Sequence, residues 1–114
     1  MSKLDEKVAQ YIDEVKGTLG LEPDVDLIRK VAKGLGPAIY NNDASKVAAT
    51  DPKEVETVKR NFLIGKLGLS DSDDLDARLQ KVMDMYAGKS RTKYRAVVYY
   101  LLTKEFGKDS IYDS

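Results

Sequence analysis

The chain has 114 residues, with nineteen lysines and arginines against nineteen aspartates and glutamates, so its formal net charge is zero. That length accommodates one domain with one core, and such a chain buries roughly two-thirds of its unfolded surface without help from a metal or disulfide. It contains neither cysteine nor histidine, which excludes disulfides, thiolate chemistry, and every Ser-His-Asp, Cys-His or histidine-metal arrangement.

The opening Met1-Ser2-Lys3-Leu4-Asp5-Glu6 turns acidic at once and has no signal-peptide core, which suits an unprocessed cytoplasmic protein. Leu4, Val8, Tyr11, Ile12, Val15 and Leu19 recur at the three-and-four spacing of one helical face. Ser2 with Asp5 reads as a capping box, and Gly20 as the left-handed stop. Pro23-Asp24-Val25-Asp26 opens a second helix carrying Leu27, Ile28, Val31, Ala32 and Leu35. Its early acids, and Arg29, Lys30 and Lys33 further along, suit the helix dipole. Gly34-Leu35-Gly36-Pro37 breaks it.

Residues 38–50 are ambiguous. They read as a short helical turn, an Asn41-Asn42-Asp43 corner, and another short turn over Ser45 to Ala49. Asp51-Pro52-Lys53-Glu54 then gives an N-cap, a proline at the first helical position and a capping glutamate at the third. Val55, Val58, Phe62 and Leu63 mark the buried face of that third helix, and Gly68 ends it. A fourth helix starts within Ser70 to Asp74, turns Leu75, Leu79, Val82, Met83 and Tyr86 inward, and stops at Gly88.

Ser90 or Thr92 would cap a fifth helix, from about Arg91 to Phe106, whose apolar residues cover nearly its whole circumference. A helix that is apolar all round is buried on most sides. The spacing therefore predicts an all-α, compact bundle of about five main helices, with an apolar central C-terminal helix and one or two short helical turns. One domain spans 1–114, with 110–114 a loose tail. The longest apolar run, Ala96 to Leu102, falls far short of the ~20 residues that span a bilayer, so no membrane partner is expected.

The run Lys93-Tyr94-Arg95-Ala96-Val97-Val98-Tyr99-Tyr100-Leu101-Leu102 resembles a family of small bacterial proteins, Domain of Unknown Function 2853. So do Gly36-Pro37-Ala38-Ile39-Tyr40-Asn41 and Asn61-Phe62-Leu63-Ile64-Gly65-Lys66-Leu67-Gly68-Leu69. The resemblance implies a compact all-helical bacterial protein. It brings no activity, cofactor or catalytic residue with it.

Three motif fragments have plainer explanations. Gly88-Lys89-Ser90 looks like the end of a phosphate-binding loop, but Met83 stands where the first glycine is needed and a helix precedes it. Gly34-Leu35-Gly36 has Ile39 in place of the third glycine of a dinucleotide fingerprint. Counted from Asp71, the glycine and glutamate positions of a calcium loop hold Asp76 and Val82, so those carboxylates read as helix-start residues and no metal or cofactor is expected.

The basic run Lys89, Arg91, Lys93, Arg95 sits where the dipole of the fifth helix disfavours cations. A bound phosphate or RNA would offset that, with Tyr94 as a stacking surface. The favoured alternative is internal compensation across an antiparallel pairing of helices four and five. Asp84 would then meet the basic run, and the Asp71 to Asp76 cluster would meet Lys104 and Lys108. Tyr94, Tyr99 and Tyr100 crowd one helix and would supply a face for a protein partner or a second copy.

Three readings therefore compete. The first is a non-enzymatic protein-interaction module, in its simplest form a homodimer. The second is a weak nucleic-acid or phosphate binder using the basic run. The third, least favoured, is a carboxylate enzyme built around Asn41 to Asp43, which would need a deep pocket and an acid of raised pKa.

Overall fold

The computed structural model describes residues 2–41, 43–48, 51–90 and 92–112. Helix α1 spans Lys3–Asp13. The Asp5 amide donates to Ser2 Oγ at 3.1 Å and the Ser2 amide to Asp5 Oδ2 at 3.3 Å, which forms the capping box read from the sequence. The helix continues into a wider π turn over Glu14–Thr18 that keeps Val15 on the buried face. Gly20, at φ +67°, ends it.

Helix α2 spans Val25–Leu35, capped by Asp24, whose carboxylate accepts from the Leu27 amide at 3.1 Å. Gly36 at φ +63° stops it, and Pro37 leads into a 3-10 turn, Gly36–Tyr40. Helix α3 spans Pro52–Val58 behind the Asp51 cap and runs on into a second π turn, Lys59–Ile64. Helix α4, Asp73–Ala87, is capped by Ser72 and followed by Gly88, whose amide donates to the Asp84 carbonyl.

Helix α5 spans Arg95–Glu105, four residues shorter at its start than the spacing predicts. Neither Ser90 nor Thr92 caps it. The Ser90 hydroxyl donates to the Thr92 carbonyl, and the residue before the helix is Tyr94, in extended backbone. The reason lies in residues 43–48. Instead of a helical turn over Ser45 to Ala49, Lys46 pairs with Tyr94 as an antiparallel bridge. The Val47 amide donates to the Lys93 carbonyl at 2.7 Å and the Arg95 amide to the Ser45 carbonyl at 2.8 Å. Those bonds hold 92–94 extended, so helix begins only after them. Ala49 lies outside the described residues.

Ala96, Val97, Val98, Tyr100, Leu101, Leu102 and Thr103 are buried, which makes α5 the central helix. It packs on α2 and α4, while α1 lies against α2. The buried apolar residues form one cluster drawn from all five helices, and the Cα radius of gyration, 13.1 Å, is that of a folded chain of this length, about 13 Å.

The C-terminal segment is not loose as far as Tyr112. Asp109–Tyr112 makes a 3-10 turn that packs on α2, with Tyr112 partly buried against the core. Burying that ring supplies what the polar sequence of the tail does not advertise. Asp113 and Ser114 lie outside the described residues. Among the described residues no helix is long and apolar enough to cross a membrane.

Candidate functional site

Arg95, the first residue of α5, turns inward. Its Nε donates to the Ala44 carbonyl at 2.8 Å, one Nη donates to the Lys46 carbonyl at 3.3 Å, and the same nitrogen pairs with the Glu54 carboxylate from α3. The guanidinium also lies over the Tyr99 ring. Burial works against its charge, but hydrogen bonds to Tyr99 and Glu54 outweigh it and keep the arginine firmly cationic. Glu54 is therefore engaged by Arg95 as well as standing where a helix cap would use it.

This clamp pins the 43–48 segment beside residues 92–93, and an open groove of about 580 Å³ forms along the seam. Asp43, Lys46, Val47, Ala48, Glu54, Thr92 and Lys93 line it. Asn41 shapes its upstream corner, where its side-chain oxygen accepts from the amides of Asp43 and Ala44 at 2.8 and 3.0 Å. That use makes Asn41 a turn-former. Asn42 lies outside the described residues.

Lys89, Lys93 and Arg95 do not form a stripe on a helix start. Lys89 is exposed in the turn after α4, Lys93 is partly buried in the extended pair, Arg95 is clamped, and Arg91 lies outside the described residues. The dipole argument fails for Lys89 and Lys93 because the helix begins at Arg95. For Arg95 itself, Glu54 and two carbonyls supply the compensation.

Helices α4 and α5 do pack together, but the charge pairing differs from the expected one. Asp84 accepts from Gln80 at 2.8 Å. Asp71 and Asp76 both close on Lys59 at 2.7 Å. Lys104 instead holds Asp24 at 2.9 Å and Asp109 at 3.0 Å. Glu105 takes Arg78 at 3.0 Å and Lys81 at 3.4 Å. The Lys59 ammonium, drawn above the ordinary lysine range by hydrogen bonds to Asp71 and Asp76, stands where a cation between those carboxylates would sit.

Each of the three tyrosines makes a contact within the molecule, Tyr100 buried and Tyr94 and Tyr99 partly so. Tyr100 is buried and its hydroxyl accepts from the Asp24 amide at 2.9 Å. Tyr99 stacks on Phe62, with ring centroids 3.9 Å apart and planes 14° apart. Tyr94 packs on Tyr11 at 5.6 Å and its hydroxyl accepts from Gln10 at 2.8 Å. Part of the apolar surface of that face is thus covered by α1, by the start of α2 and by the π turn Lys59–Ile64. Among the described residues, the exposed large apolar ones are Leu21, Val25, Tyr40 and Ile111.

The shifted ionisations have local causes. Hydrogen bonds from Lys104 and the Leu27 amide hold Asp24 below the usual carboxylate range, and the Arg29 guanidinium does the same for Asp5. Burial pushes Glu105 up, but Arg78 and Lys81 bring it below the usual range. Burial raises the Tyr11 phenol to about 12. It also raises Tyr86, whose hydroxyl donates to Glu14 at 3.0 Å and accepts the Tyr94 amide at 3.2 Å.

Sequence reasoning missed Lys46, Val47, Ala48, Glu54 and Thr92 as groove residues. The pairing that assembles them joins segments nearly fifty positions apart through a single bridge, too short to leave an alternating pattern.

A family model described as a protein of unknown function, DUF2853, matches residues 10–110. The chain belongs to that family. No curated protein matches it.

Proposed function

We propose that this member of the DUF2853 family is a non-enzymatic binding module that accepts an extended segment of a partner protein in the groove along residues 43–48 and 92–93. The carrying observation is the mixed chemistry of the lining. Lys46 and Lys93 stand with Asp43 and Glu54 around Val47, Ala48 and Thr92. A peptide offers both charges and small apolar side chains, and backbone already extended at the seam is suited to a second extended chain. Phosphate chains fit less well, because two carboxylates in the same lining repel them. The opposite pull on Asp5, Asp24 and Glu105 from the one an acid catalyst needs supports the non-enzymatic reading.

The test is selection of random peptides on the protein, followed by an amide-resolved NMR titration with the enriched sequence. Expected are shifts confined to residues 43–48, 54 and 92–93, lost in the double variant Asp43→Lys, Lys93→Glu. Failure to enrich any sequence, or shifts mapping elsewhere, would sink the reading. Single-stranded RNA binding at the groove, with a log–log salt slope of about −0.7 per phosphate contacted, would replace it with the nucleic-acid reading.

A further inference from the structure

A second cavity, of about 460 Å³, lies at the C-terminal end of α2. Lys30, Lys33 and Gly34 of α2 line it together with Lys66, Ile111 and Tyr112. Lys30, Lys33 and Gly34 fall on one helical face, at the three-and-four spacing. Lys66 comes from a different element, the turn after Lys59–Ile64. The Tyr112 ring closes the cavity against Gly34, where a Cβ would lie 3.7 Å from its Cε1 atom. Lys66 Nζ sits 5.1 Å from the centroid of the same ring.

The chemistry of this lining is one-sided. An ammonium donates hydrogen bonds and accepts none, and no carboxylate lines the cavity. Lys30 holds Asp26 at 3.2 Å, whereas neither Lys33 nor Lys66 is in an ion pair among the described residues. A helix C-terminus attracts cations, and that accounts for Lys33 alone. It does not account for Lys66 arriving from another element at the same cavity. Burial raises the Tyr112 phenol to about 12, so it stays protonated and able to donate.

We infer that Lys30, Lys33, Lys66 and Tyr112 form a binding site for the phosphate groups of a small oligophosphate. Only an acceptor-rich anion answers a lining of donors, and ammonium groups bind phosphate as point charges without demanding one fixed geometry. The volume lies within the ~300–1,000 Å³ of small-ligand pockets.

The experiment is an NMR titration of the full chain at low ionic strength with inorganic pyrophosphate and, separately, with ADP. Saturable shifts are expected at residues 30–34, 66 and 111–112. Lys33→Gln with Lys66→Gln should weaken binding at least tenfold while the melting temperature holds, and Lys33→Arg with Lys66→Arg should retain it. Tighter binding of ADP than of pyrophosphate would add the Tyr112 ring as a nucleoside contact, and equal binding would restrict the site to phosphate; both support it. The inference is overturned by non-saturating shifts spread over all lysines, by affinity unchanged in the double glutamine variant, or by single-stranded RNA binding these residues where pyrophosphate does not.

Discussion

Arg95 and Glu54 form the ion pair that joins the start of α5 to α3 while Arg95 also holds the Ala44 and Lys46 carbonyls. Both side chains are largely withdrawn from water, at 15% and 28% exposure. Removing one partner strands the other charge and, for Arg95, leaves two carbonyls without their donor. Arg95→Ala should cost about 2–3 kcal/mol, below the range for breaking fully buried pairs because some exposure remains. Arg95→Lys should cost about 1–2 kcal/mol, since an ammonium cannot replace the guanidinium fork. Urea unfolding measures both. Equal stability of wild type and Arg95→Ala would show that the 43–48 segment is held by its bridge to Tyr94 alone.

Two buried phenols make opposite predictions for one substitution. The Tyr86 hydroxyl has two partners, Glu14 and the Tyr94 amide. The Tyr11 hydroxyl is buried and has no hydrogen-bond partner among the described residues. A buried hydroxyl left unsatisfied is a cost, while a satisfied one contributes about 1 kcal/mol. Tyr86→Phe should therefore destabilise by about 1–2 kcal/mol, and Tyr11→Phe should leave stability unchanged or raise it by up to about 1 kcal/mol. The comparison is the shift in denaturation midpoint at constant slope. A loss on Tyr11→Phe as large as on Tyr86→Phe would reveal a partner for Tyr11 in solution.

What the sequence made legible follows from the range of the interactions involved. The helix caps at Ser2, Asp24, Asp51 and Ser72 are settled within three residues of the cap. The inward residues of α4 follow from spacing alone. The start of α5 was misplaced because capping and periodicity act locally, whereas residues 92–94 are held extended by Ser45 and Val47, far away in the chain. The same gap hid Glu54, which as a helix-start acid looks complete without Arg95. Tyr112 was misread because a polar tail gives no sign that Gly34 leaves room for a ring.

Acid should act on the contact between α2, α5 and the C-terminal turn. Lys104 reaches both Asp24 and Asp109. Hydrogen bonds from Lys104, then from the Leu27 amide, lower the Asp24 pKa from its ordinary 3.8. A carboxyl whose folded pKa is depressed stabilises the fold fully above its unfolded value, and that contribution is lost as pH falls through the folded value. Melting temperature should therefore decline below roughly pH 4. Lys104, raised above its ordinary 10.5 by Asp24 and Asp109, works in the other window. Its contribution is complete below that value and disappears as pH climbs through the raised one. Lys104→Met should lower the melting temperature at neutral pH and flatten its acid dependence. An acid limb unchanged in Lys104→Met would move the titration to Asp5 or Glu105.

Glycines at the two π turns separate a packing constraint from a simple loss of chain entropy. Gly65 follows the wide turn Lys59–Ile64, and a Cβ there would meet the Asn61 carbonyl oxygen at 2.7 Å and that of Arg60 at 3.1 Å. Both obstacles are backbone, so neither can swing aside as a side chain would. Gly65→Ala should destabilise by about 1–3 kcal/mol, the range for forcing extra volume into a filled site. Gly17 lies in the other wide turn, Glu14–Thr18, with nothing within 4 Å of a Cβ. There alanine restricts the unfolded chain without a clash, and Gly17→Ala should raise stability by about 0.4–1 kcal/mol. Chemical unfolding of the two variants gives the sign directly. If Gly65→Ala proved neutral, the wide turn would have to relax into regular α-helix and draw the Asn61 carbonyl away. Amide exchange at Lys66 and Leu67, both bonded to the Phe62 carbonyl, would then change with it.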